Sequence, residues 1–238
     1  MEIAPGLHSL VETQGGFVHA FLIEDGGGLT LIDTLYSAGA KHILEAIKNI
    51  GKSVMDIKQI VLTHAHRAHL GGLAKLKELS GAEVYAHEWE ADIIAGERKQ
   101  QCTTLLPVKP LILWPLQIAS RIGPPARACA VDRILSDGDQ VGSLRVVHTP
   151  GHTPGHLAFY WPQRRAIFAG DTLATWPEFD QGWPCFILNF KQNWTSLRRL
   201  AELDLDILAV GHGDPITRDG SERLRALLKK TGHWPGAS

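Results

Sequence analysis

The sequence predicts an α/β chain folded as an αββα sandwich, two mixed β-sheets packed face to face with helices on their outer faces. Three observations carry that expectation. Short apolar runs separated by glycines open the chain; strand-like and helix-like segments then alternate; and after an irregular middle stretch the chain returns to strands and then to helices. With 238 residues, 44% of them hydrophobic, it is long enough for one well-buried domain, and a single fused domain is expected over residues 1–238.

The first three strands are expected near residues 7–12, 17–24 and 29–33, with Gly15-Gly16 and Gly26-Gly27-Gly28 between them. Alternation with glycine punctuation makes this an antiparallel meander. Residues 38–49 place Ile43, Leu44 and Ile47 on one helical face, and Gly51 supplies the stop. A buried strand over Ile60, Val61 and Leu62, a helix over 71–79 and a strand over 83–86 follow.

Residues 89–133 break this rhythm. Pro107, Pro110, Pro115, Pro124 and Pro125 interrupt the apolar Leu105, Leu106, Ile112, Leu113 and Trp114 without a clean period. A structureless loop of that length is unusual in a compact domain, so the stretch reads as a partly helical insertion. It is either a substrate-side lid or an oligomer contact made by the same apolar residues. Beyond it come strands near 140–147, 156–161, 166–169 and 207–210, with helices near 194–202 and 221–230.

Composition narrows the partners. Lys and Arg number 24 against 25 Asp and Glu, so no global field favours nucleic acid or an anionic membrane. The three cysteines, Cys102, Cys129 and Cys185, are few and far apart, which argues for a reducing compartment. The first six residues lack a basic and apolar leader, and the longest apolar stretch, 111–119, is cut by Pro115 and too short for a bilayer. A cytoplasmic protein is expected.

Four motifs follow strand ends. The first is Thr63-His64-Ala65-His66-Arg67-Ala68-His69, in which histidines two apart on extended chain face one side and a third can swing back at a helix start. Neutral imidazoles suit Zn, Fe, Ni and Cu, and three behind a buried strand outweigh the reading of solvated loop histidines. The second is His148-Thr149-Pro150-Gly151-His152-Thr153-Pro154-Gly155-His156, the third Gly170-Asp171-Thr172, the fourth Gly211-His212-Gly213. Taken singly, each of the last three is weak, and Asp171 alone reads as a strand-end turn residue.

The first motif resembles the His-x-His-x-Asp-His signature of the metallo-β-lactamase superfamily, with Ala68 where the family has Asp, and the other three follow in that family's order. The resemblance implies the αββα fold and two zinc sites, Fe or Mn being the other candidates. One site takes His64, His66 and His152 with Asp171 bridging; the other takes His69, His212 and Asp171. Asp171, His69 and His212 are the implied catalytic groups, while His148 and His156 are assigned structural roles. Ala68 offers no lone pair and the cationic Arg67 cannot replace the missing carboxylate, so the second site is weakened. Ala68 reads either as natural divergence or as an engineered change.

In the family Asp33 sits behind the site; on the residues alone, helix capping serves equally well. The implied reaction is metal-bound hydroxide attacking an ester-type carbonyl of a small-molecule substrate, a thioester, lactone or lactam, as in a glyoxalase-II-like or lactonase-like hydrolase. Alternatives are a phosphodiesterase-type member, a non-catalytic metal- or ligand-binding protein, and a di-iron oxygen or NO reductase. Trp114, Trp176, Phe179, Trp183, Phe186 and Phe190 are candidates for an acyl pocket, with ordinary core as the other reading. A homodimer through residues 89–133 is a further expectation.

Overall fold

The structure is a computed structural model that describes residues 1–101, 106 and 109–234. Seven strands form the first sheet in chain order: β1 (Glu2–Ala4), β2 (Leu7–Glu12), β3 (Val18–Asp25), β4 (Gly28–Ile32), β5 (Ile57–Val61), β6 (Glu83–His87) and β7 (Arg133–Leu135). Pairing is antiparallel through β4 and parallel from β4 to β7, where helices supply the crossovers. The chain continues as β8 (Gln140–Val141), β9 (Leu144–His148), β10 (Leu157–Trp161) and β11 (Ala166–Gly170), a short ribbon β12 (Leu173–Ala174) and β13 (Asp180–Gln181), then β14 (Ile207–Val210). The second sheet runs in the order β14-β11-β10-β9-β8, with only the β11–β14 pair parallel.

Neighbouring residues on each strand point to opposite faces, and that alternation builds the layers. Phe21, Ile32 and Val61 meet Phe159, Phe168 and Ala209 between the sheets. Their chain neighbours Leu22, Leu31 and Ile60 turn outward onto Ile43 and Ile47 of α1 (Lys41–Asn49). The short α2 (Arg67–Leu70) leads into α3 (Leu73–Ser80), whose Leu73 and Leu76 join the same layer. On the far side, Ala158, Ile167 and Leu208 pack against Trp194, Leu197, Leu224 and Leu228. These residues belong to α6 (Phe190–Leu200) and α7 (Gly220–Lys230); α4 (Glu88–Ile94) and α5 (Trp114–Ile122) lie in the middle stretch. The architecture is the αββα sandwich of mixed sheets.

One expectation changes. The strand placed over 140–147 is a hairpin, β8 and β9, turned at Gly142 with φ 56°, a conformation open to glycine that unbroken apolar periodicity does not reveal. The middle stretch is partly helical, as expected, and is tied to the body of the fold: Glu90 of α4 is 1% exposed, Leu113 and Gln117 are buried, and β7 completes the first sheet. Cys102, Leu105 and Pro107 lie outside the described residues. No helix among the described residues is long and apolar enough to cross a membrane.

Candidate metal centre

β5 ends at Val61, and the extended chain after it carries His64 and His66, the latter capping α2, within which His69 turns back. His152 lies in the turn after β9, Asp171 directly after β11, and His212 just after β14. These six side chains converge at one end of the sandwich. His64, His66, His152 and Asp171 form one buried group, and His69, Asp171 and His212 another; within each, the ligand atoms lie within 4.8 Å of one another.

Asp171 is shared. Its Oδ2 is 3.7 Å from His64 Nε2, 3.5 Å from His152 Nε2 and 3.2 Å from His212 Nε2, while Oδ1 is 3.3 Å from His69 Nε2. His66 Nδ1 and His152 Nε2 are 2.9 Å apart. The buried Nε2 atoms of His64 and His69 and Oδ1 of Asp171 have no hydrogen-bond partner, a costly arrangement for apolar surroundings unless an ion takes their lone pairs. This donor set fits, and implies, a divalent metal.

The supporting contacts fix which nitrogen faces the centre. Thr63 donates its N–H to Asp33 Oδ1 at 2.9 Å and its hydroxyl proton to Asp33 Oδ2 at 2.8 Å. Its hydroxyl oxygen must therefore accept from His64 Nδ1, 2.9 Å away, which leaves the Nε2 lone pair pointing inward. Asp33 also accepts from His69 Nδ1 at 2.9 Å, and the Gly16 carbonyl accepts from His212 Nδ1 at 2.9 Å. His156 Nε2 accepts the Asp171 N–H at 3.1 Å and so aims the shared carboxylate.

Burial keeps the imidazoles of His64 and His152 well below their ordinary pKa, that of His66 at about 4 and that of His156 at about 3. All four are neutral at pH 7. Burial opposes charge on His69 as well, but in the metal-free chain Asp171 and Asp33 carry it up to about 10, so a cation bound at Nε2 would displace that proton. Burial would raise Asp171 too, yet His212 and His69 hold it well below the carboxylate range, so it is anionic.

A cavity of about 260 Å³ opens on the centre and is lined by Tyr36, Arg67, Ala68, Leu116, Trp183 and Phe186 together with His66, Asp171 and His212. Ala68 thus lines the cavity while packing against the outer core of the first sheet. Of the aromatic candidates, Trp183 stacks on His212 with centroids 3.9 Å apart, and Phe186 meets His66 edge-on at 5.7 Å. Trp176 lines an adjoining cavity of about 540 Å³, of which Trp183 is also a wall. Phe179 packs on the outer core of the second sheet, and Trp114 and Phe190 are 41% and 45% exposed, so these three are not brought to the centre.

One contributor, Glu90, and the packing role of another, Gly211, escaped the motif reading. Glu90 accepts from Ala65 N at 3.0 Å and from the Thr153 hydroxyl, bracing both histidine loops. Gly211 is needed because a Cβ there would stand 2.0 Å from Asp171 Oδ1. A glycine flanking a motif histidine was the only available signal for the latter, and Glu90 left none.

Residues 13–212 match the family model of the metallo-beta-lactamase superfamily. The Bacillus subtilis protein YobT is 30% identical over 224 residues, which cover 90% of each chain. A hydroxyacylglutathione hydrolase of Rhodospirillum rubrum is 26% identical over 214 residues, 87% of this chain and 65% of the relative, so this chain spans less than two thirds of that enzyme. Among solved structures, TTHA1623 in a di-iron-bound form matches with a TM-score of 0.65 at 27% identity, covering 88% of this chain and 94% of that one.

Proposed function

The chain belongs to the metallo-beta-lactamase superfamily, and from that membership we propose that it is a hydrolase opening an ester-type carbonyl, a thioester, lactone or lactam, in a small molecule. The observation that carries this reading is the set of buried imidazole and carboxylate donors with unclaimed lone pairs, facing a cavity of small-molecule size. His64, His66 and His152 would hold a zinc ion that Asp171 shares with a second ion on His69 and His212. When bound, the cations supply Lewis acidity and lower the pKa of water to about 7.

The protein's own groups do the rest. Asp33 and Thr63 hold His64 and His69 in the right tautomer, His156 orients Asp171, and the Gly16 carbonyl orients His212. Leu116 and Ala119 of α5 line the cavity and would serve as its substrate-side lid. The hydroxyacylglutathione hydrolase relative supports a thioester as the first substrate to try.

Ala68 makes the second ion the weaker. Restoring the carboxylate by Ala68→Asp is expected to raise both metal content, read by elemental analysis, and turnover on a panel of chromogenic thioester, lactone, lactam and phosphodiester substrates. No gain in either overturns the role given to position 68. Failure of both chains, fully metal-loaded, to turn over any member of the panel overturns the hydrolase reading in favour of a metal-binding protein.

A further inference from the structure

Arg67 is the one Lys or Arg side chain lining the cavity among the described residues, and it has no acidic partner there. The ion pairs of the centre run from histidines to Asp33 and Asp171, and none reaches Arg67. The guanidinium carbon stands over the Tyr36 ring, 4.2 Å from its centroid, and Nη1 donates to the Tyr36 hydroxyl. The cation–π contact and that bond hold the group in place, and one of its five N–H donors is committed to the Tyr36 hydroxyl.

Leu116, Ala119, Trp183 and Phe186 give the cavity an apolar side, with Gln14, Gln100 and Ser120 among its polar lining, and a half-buried cation there carries a desolvation cost that an arriving anion would offset. Position 68 sharpens the point. An Asp there would line the same cavity beside Arg67 and compete for it, whereas the methyl of Ala68 leaves the charge open to a ligand.

We propose that Arg67 recognises a carboxylate on the substrate, so that the preferred substrates are small acidic esters or thioesters whose carbon chain lies against Trp183 and Phe186. A planar carboxylate matches the guanidinium fork and fits the cavity of about 260 Å³. The proposal rests on the hydrolase reading for its chemistry, though not for its anion site.

The test uses the zinc-loaded full chain and two esters of similar length, 4-nitrophenyl hemisuccinate and 4-nitrophenyl butyrate. The kcat/KM ratio of acidic to neutral ester is expected to fall about ten- to a hundred-fold in Arg67→Gln, mostly through KM, and by less in Arg67→Lys, which keeps the charge and loses the fork. Ala68→Asp is expected to lower the same ratio while metal content rises. Calorimetry with succinate, which needs no turnover, is expected to show an affinity about tenfold or more lower in Arg67→Gln. An unchanged ratio with both esters hydrolysed, or unchanged succinate affinity, overturns the proposal and spares the hydrolase reading. Arg67-dependent succinate binding without hydrolysis of either ester upholds the anion site and counts against the hydrolase reading.

Discussion

Glu90 is one carboxylate serving two loops. It accepts from Ala65, which lies between His64 and His66, and from Thr153, the neighbour of His152, so three donors of the first metal group share a single brace. Burial raises its pKa, and the bonds from Thr153, Ala65 and Gly155 work against that rise. Glu90→Ala strands a buried N–H and a buried hydroxyl, each worth about 1–3 kcal/mol. The expected outcome is a loss of about 2–4 kcal/mol in denaturant unfolding of the metal-free chain. Zinc affinity should fall about ten- to a hundred-fold with it, as for other groups that orient ligands. Wild-type zinc affinity in this variant would show that the loops hold their shape without the brace.

The turn between β2 and β3 shows how an element far from the motifs enters the centre. Gly16 has φ 91°, its carbonyl orients His212, and a Cβ on it would stand 2.3 Å from the Trp183 indole. Gly16→Ala therefore combines backbone strain of about 1 kcal/mol or more with displacement of the indole stacked on His212. Metal analysis is expected to show loss from the His69–Asp171–His212 group while one ion stays on His64, His66 and His152. Gly26→Ala, with nothing within 4 Å of the added atom, is the matched control and should retain both. The sequence made Gly15-Gly16 legible only as punctuation, because the partner histidine lies 196 residues away. His64, His66, His152, Asp171 and His212 were legible for the opposite reason: each stands just past a strand end, where local pattern and short motif coincide. Glu90 was not, since a carboxylate in an aperiodic stretch looks the same whether it braces a site or coats a surface; Trp183 was legible only as one of six aromatic pocket candidates, and its stacking on His212 was not.

At the scale of the whole molecule, five buried imidazoles make the metal-free chain sensitive to acid. His64 and His152 are held well below the ordinary value, and His66, His156 and His19 sit at about 4, 3 and 4, in each case through burial. Unfolded, each titrates near 6.5. As pH falls from about 6.5 toward 4 the unfolded chain takes up protons that the native chain refuses, and stability drops by up to roughly 1.4 kcal/mol per pH unit for each imidazole. His69 acts in the reverse sense: raised to about 10, it contributes stability that is complete below about 6.5 and is lost as pH climbs toward 10. Urea titrations of chelator-treated protein at pH 7.5 and 5 are expected to show a lower midpoint at pH 5. Equal midpoints would mean that these rings open to solvent in the metal-free state.

The donors are divided evenly between the two layers: His64, His66 and His69 follow the first sheet, and His152, Asp171 and His212 follow the second. An ion gripped by both is a rivet through the sandwich, closing a span from residue 64 to residue 212 that the polypeptide closes only by packing. Starved of its cations, the molecule would loosen along the same seam on which the proposed hydrolysis depends, so that loss of metal and fragility would arrive as a single defect.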